Sequence, residues 1–203
     1  MTGWDQFRSD TRAASAVEFA LILPLALLFL LGIIDVGRYM WQVNQLEKAA
    51  QMGVRLAVVT NLVEKGLQNE TYVGSTACGT ALAAGDQICR AALGVVTCSS
   101  TSCEPCTVAP CPASDYDGDA YVNIRNRAKV FAPILEDANI RVIYSGSGLG
   151  FAGDPSTVSI APIVTVRLQG VDFHSISLLG TSFNLPTISR SQTLEDGIGT
   201  HSN

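Results

Sequence analysis

The sequence predicts an α+β protein in which a long N-terminal transmembrane helix extends into a domain with a second helix, a small antiparallel sheet and a disulfide-stapled loop. Three observations predict it. Residues 19–34 (FALILPLALLFLLGII) carry no charge. All six cysteines fall in one later stretch. In the last third of the chain, β-branched and other apolar residues recur at every second position over short runs, the period of a strand.

The uncharged run comes first because it decides the compartment. Its sixteen residues span roughly 24 Å as a helix, and residues 13–17 extend that to roughly 33 Å, about a bilayer core. Leu, Ile and Phe cover every face, unlike a helix that buries one stripe in a soluble core. No small-residue cleavage site follows the run, as it would after a removed secretory signal; it passes into GIIDVGRYMW. A retained membrane helix over residues 14–37 follows, with residues 1–13 as a cytoplasmic leader-like segment. Arg8 and Arg12 precede the run and Arg38 and Lys48 follow it, a mild bias toward a cytoplasmic N-terminus. Pro24 predicts a kink, since it removes a helix hydrogen bond.

Cys78, Cys89, Cys98, Cys103, Cys106 and Cys111 form an even, clustered set in a chain that leaves the cytosol, which reads as disulfides. Cys103 and Cys106 make a CxxC pair, the rival zinc signature. The two histidines, His174 and His201, are remote from it. Disulfides need an oxidising compartment, so the C-terminal domain is expected outside the cytoplasm. The pairing stays open.

Glu18 lies inside the apolar span, where a carboxylate costs about 2.5–3.5 kcal/mol at the helix centre and less near an edge. Either it reaches the headgroups or it has a partner. The sequence around it, RAASAVEFAL, resembles the processing signal of type IV pilin-like proteins: a small residue, four more, then Glu-Phe and a long apolar helix. That resemblance implies a cut by a prepilin peptidase between Ala13 and Ala14, with Ala13 standing where the family usually has Gly. It also gives Glu18 and Phe19 roles in processing and assembly. The new amino group on Ala14 would be largely cationic at neutral pH, and a neighbouring subunit's Glu18 could pair with it.

Further elements sharpen the resemblance: Val17-Glu18-Phe19-Ala20-Leu21, Pro24, Gly32-Ile33-Ile34-Asp35-Val36-Gly37-Arg38 and Ala50-Gln51-Met52-Gly53-Val54-Arg55. Together they resemble the TadE-type family (TadE, TadF and TadG-like proteins) of the tight adherence, or Flp, pilus system. What the resemblance implies is a pilin-like architecture and a structural minor pilin or pseudopilin that inserts its helix among pilin helices. Its partners would be other pilins and pseudopilins, a membrane assembly platform, a prepilin peptidase and the lipid bilayer. The alternative is a membrane-tethered binding module or pilus-tip adhesin presenting the Cys-rich loop.

Beyond the membrane, Tyr39, Val43, Leu46, Ala50, Gly53 and Ala57 recur at steps of three and four, an amphipathic extension over residues 38–65. Its small residues Ala49, Ala50 and Gly53 suit close packing on the protein's own domain or on partner helices. Residues 66–118 form the Cys-rich loop region, with one short helix near 79–93. Residues 119–203 hold a helix to about Ala132 and then β-rich segments around 140–144, 158–168, 171–179 and 185–194. Gly146, Gly148 and Gly150 read as a loop between strands.

Asp115, Asp117 and Asp119 offer a weak calcium pattern; Asn126 stands where a loop of that kind needs its last carboxylate. Asp117 or Asp119 capping the next helix is the simpler account. Neither a nucleophile–base set nor a cofactor motif emerges, so no enzyme and no cofactor is expected. Net charge is −5, with no basic patch after the N-terminal segment, and nucleic acid is not an expected partner.

Overall fold

The structure, a computed structural model, describes residues 11–107, 111, 113–153, 160–178 and 180–195, with residues 11–14 described by backbone only. Val158, expected at the start of a strand, lies outside these. The described residues form two compact units. One holds the chain up to Trp41 together with Asp172–Phe183; the other holds Gln42–Val171 and the residues from Asn184 on.

Helix α1, Thr11–Ala57, contributes to both units. In the first, it carries the uncharged run with Pro24 inside it. In the second, its apolar stripe is buried: Leu46, Ala49, Ala50, Val54 and Ala57 are closed to solvent. A Cβ on Gly53 would stand 3.4 Å from a Val166 methyl and 3.8 Å from the Ala128 Cβ. The small residues therefore serve close packing within this unit, one of the two uses the sequence allowed.

The helix stops at Ala57, short of the expected residue 65. Val58, Val59 and Thr60 follow, β-branched residues that favour extended chain. The backbone then turns so that the Asp117 N–H donates to the Val63 carbonyl and the Lys65 N–H to the Asp115 carbonyl. A short helix α2, Gly66–Asn69, comes next. The helix expected near 79–93 is absent. Gly79 and Gly85 sit at φ of 91° and 90°, conformations that end a helix and favour glycine. Leu82 and Ile88 reach the core from irregular chain and Leu93 from a turn instead.

Strand β1, Val95–Cys98, was not legible in the sequence. It joins β2 (Ile140–Ser145), β3 (Ile163–Leu168) and β6 (Ile188–Thr193) in an antiparallel sheet ordered β1-β2-β3-β6. Val142 lies opposite Val166, and Tyr144 opposite Val164. These side chains, with Ile140 and Leu168, are buried, as period-2 alternation predicts. Edge strand β6 carries Ser, Arg, Gln and Thr and is mostly exposed, a polar edge that discourages pairing with another chain. Gly146 follows β2 where a Cβ would collide with the Arg90 carbonyl.

Helix α3, Gly118–Phe131, buries Ala120, Tyr121, Ile124 and Ala128; Pro133 lies just past its end. Tyr121 donates its hydroxyl proton to the Asp137 and Ile140 carbonyls, at 3.0 and 3.2 Å, and burial pushes its phenol up to about 12. The fully enclosed Tyr144 hydroxyl accepts from the Val63 N–H at 2.9 Å. Of the basic residues on α3, Arg125 pairs with Asp137 at 2.8 Å and Arg127 lies over the Phe131 ring.

Cysteines pair with their nearest neighbours in sequence: Cys78–Cys89, Cys98–Cys103 and Cys106–Cys111. The two cysteines of the CxxC pair thus belong to different disulfides. Cys98–Cys103 closes a turn beside β1, where the Glu104 N–H donates to Thr97 and the Thr107 N–H to Val95. Loops this short restrict the unfolded chain by about 2–3 kcal/mol each.

Packing at Gly53 yields a test. Replacing it with Ala places a methyl at ordinary contact distance from Val166 and raises helix propensity, so stability should hold or rise by up to about 1 kcal/mol. Gly53→Leu overpacks the same contact and should cost about 1–3 kcal/mol. Denaturant melts of the full chain in detergent check both.

Candidate functional site

Two features of the first unit concentrate the unusual chemistry: the bare apolar helix, and the structure at its exit. Along α1 the side chains of residues 15–30 are all exposed, Phe19 at 64%. No protein covers Leu21, Ile22, Leu25, Leu28 or Phe29. Apolar surface exposed on every side of a helix is a solvent statement: its medium is lipid or other apolar helices. The helix is long and apolar enough to cross a membrane. Glu18 is exposed within this surface, and the backbone at Ala13 and Ala14 is helical; the side chains of those two alanines lie outside the described residues.

At the exit the chain from Asp172 to Asn184 packs on the helix. Strands β4 (Asp172–His174) and β5 (Ser182–Asn184) form a two-stranded sheet joined by a turn. Asp35 holds that turn. Its carboxylate accepts from the Ile176 N–H at 2.9 and 3.0 Å, the Ser177 N–H at 2.7 Å and the Ser175 hydroxyl at 2.7 Å. Asp35 is 7% exposed.

Arg38, one helical turn on, adds the opposite charge. It reaches Asp35 at 3.0 Å, donates to the His174 carbonyl at 3.3 Å and lies 5.4 Å over the Phe173 ring. Tyr39 meets the same ring edge-on, with centroids 5.5 Å apart. Asp35 and Arg38 are thus the first charged residues after the apolar run, and both clamp the β4–β5 hairpin. A buried carboxylate with three donors and one guanidinium is fully satisfied.

The motif at residues 32–38 was legible; its partners Ser175 to Ser177 were not. The available signal was Asp35 immediately after an uncharged run, with Arg38 at i+3. Nothing local says that the donors come from a turn about 140 residues later. His174 contributes its backbone carbonyl, and its side chain is exposed.

The aspartate cluster resolves as capping. Asp117 Oδ1 accepts from the Asp119 and Ala120 N–H groups, both at 3.0 Å, as the N-cap of α3. Asp117 Oδ2 pairs with Lys65 Nζ at 2.9 Å. Burial pushes the Asp117 carboxyl up, but the Ala120 N–H and the Lys65 ammonium outweigh it and hold the group below its ordinary value. Asp115 donates its N–H to Glu64. Among the described residues, no group of three His, Cys, Asp or Glu side chains is placed to hold a metal ion. A cleft of about 660 Å³ beside Lys65 and Asp117 is lined by Thr60, Asn61, Asn123 and Arg127.

With this geometry in view, residues 13–55 match the model of a family described as TadE, TadE-like protein. The match ends at Arg55, within α1, and includes Glu18, Asp35, Arg38 and Gly53. It supports a TadE-type component of the Tad pilus system. No curated protein and no solved structure matches the chain.

Removing the clamp should free the hairpin while leaving the sheet of the second unit intact. In Asp35→Ala, hydrogen exchange at the Ile176 and Ser177 amides should accelerate by about tenfold or more, with little change in β2 and β3. Asp35→Asn, which keeps one acceptor oxygen, should fall between. Exchange mass spectrometry on the full chain checks this.

Proposed function

We propose that this chain is a structural minor pilin or pseudopilin that supports assembly of a Tad-type pilus, with no catalytic role. The observation that carries the proposal is the apolar half of α1, uncovered on every side and bearing one carboxylate, in the segment that matches the TadE-like model. A surface of that kind supports two successive environments. In the membrane it faces acyl chains; in an assembly it faces the helices of other pilins.

Glu18 is the polar handle in this proposal. Cleavage after Ala13 by a prepilin peptidase would leave a cationic amino group on Ala14. In an apolar bundle, that group and the Glu18 carboxylate of a neighbouring subunit would neutralise each other and set the axial register, the best-attested use of a buried charge pair. The three disulfides favour a domain on the oxidising, periplasmic side, and hence a cytoplasmic N-terminus. Oxygen atoms of Asp117 already engaged in a cap and an ion pair support a purely structural role for that cluster.

Two measurements in a host that builds the pilus test this. Mature protein should begin at Ala14, and should retain Met1 when the prepilin peptidase is deleted. Glu18→Ala should remain in the membrane fraction at normal level yet fail to co-purify with pilin subunits. Full co-purification of Glu18→Ala would remove Glu18 from the assembly contact; retention of Met1 in both strains, with no pilin co-purifying with the unaltered chain, would instead favour a tethered binding module.

A further inference from the structure

The β4–β5 turn presents apolar side chains outward: Ile176 is 50% exposed, Leu178 53% and Phe183 45%. They lie on an element clamped to Asp35, the residue at which the apolar run of α1 ends. From Ser175 to Ser189 the chain carries no charge. Val36, Met40 and Trp41 extend the exposed apolar surface along the same stretch of helix. An apolar notch of about 280 Å³ opens between Gly32, Val36, Phe173, Leu178 and Phe183.

Hydrogen bonding within the turn is a second, independent observation. The Ser175 N–H donates to Thr181, the Gly180 N–H to Ser175 and the Thr181 N–H to Leu178. The Ile176 and Ser177 N–H groups donate to Asp35, and the Leu178 N–H to the Ser175 hydroxyl. The Thr181 hydroxyl donates to the Leu178 carbonyl. A turn in water can leave any of these groups to the solvent. One that enters an apolar medium must satisfy them internally, and each of these amides is satisfied.

We propose that the β4–β5 hairpin is a lipid-inserting element, with Ile176, Leu178 and Phe183 entering the acyl-chain boundary of the bilayer that α1 crosses. The inference rests on the reading of residues 15–34 as a membrane span, with which the patch is continuous. Asp35 then has two tasks. It ends the span, and it makes a turn that carries backbone amides to the bilayer surface acceptable there. Its charge is matched by Arg38, whose free side faces the headgroup level, where basic residues and Trp41 are favoured.

The test uses the full chain in phosphatidylcholine vesicles. Leu178→Trp is made with Trp4→Phe and Trp41→Phe, so that one indole reports. Phe29→Trp in the same background reports on the span. Intact mass with three disulfides verifies each preparation, and Ile176→Trp serves if Leu178→Trp does not fold. The expected result is strong loss of Leu178→Trp fluorescence in lipid brominated near the headgroup end of the chains, with less loss in lipid brominated near their ends. Phe29→Trp should show the reverse. Quenching of Phe29→Trp without quenching of Leu178→Trp overturns the insertion and leaves the span standing; a blue-shifted, unquenched Leu178→Trp would mean cover by protein, such as a second copy. Absence of quenching in both overturns the span and the insertion together.

Discussion

A helix that is apolar on all sides for one stretch and on one side for the next demands two media. That demand falls on α1, and the change occurs at Asp35. From Ser15 to Leu30 every side chain is exposed and nearly all are apolar, with Glu18 as the single charge. Beyond Gln42 the same helix reads as an ordinary amphipathic element whose stripe closes a soluble core. Asp35 is a carboxylate at the border of an apolar span, where an unpartnered charge is costly. Its partners are supplied in full by Ser175, Ile176, Ser177 and Arg38. The hairpin is held because the border charge must be satisfied, and the border charge is tolerable because the hairpin is there.

In the second unit the governing fact is the small volume available to the core. Gly53 and Ala50 let α1 approach β3 and α3 closely. Three buried tyrosines then fill the remaining space. Tyr121 and Tyr144 satisfy their hydroxyls against backbone groups. Long segments without regular structure separate these elements, and three short-range disulfides reduce the conformational freedom that folding must remove there.

How much of this was legible follows from whether the signal is local. The span, the amphipathic stripe, the cap on α3 and strands β2 and β3 announce themselves by period or by spacing within a few residues. Strand β1 did not, because its four residues sit among cysteines, glycines and serines. The expected helix near 79–93 had adequate apolar spacing but lost to Gly79 and Gly85. The end of α1 was read too late because β-branched residues continue the apolar pattern after the helix has turned away. At the site, Asp35 and Arg38 stood out, whereas the turn that completes them arrives through the tertiary fold.

The account stands on a change of medium along one helix, and spin labels scanned through residues 25–50 in bilayers measure that change directly. Collision with oxygen should exceed collision with a water-soluble nickel complex at every position through Leu30, with no helical periodicity. Past Gln42 the pattern should become periodic at about 3.6 residues, with Leu46 and Ala50 shielded from both reagents. Periodic shielding already present between residues 25 and 30 would contradict the account, because it would mean that protein, not lipid, covers one face of the apolar run.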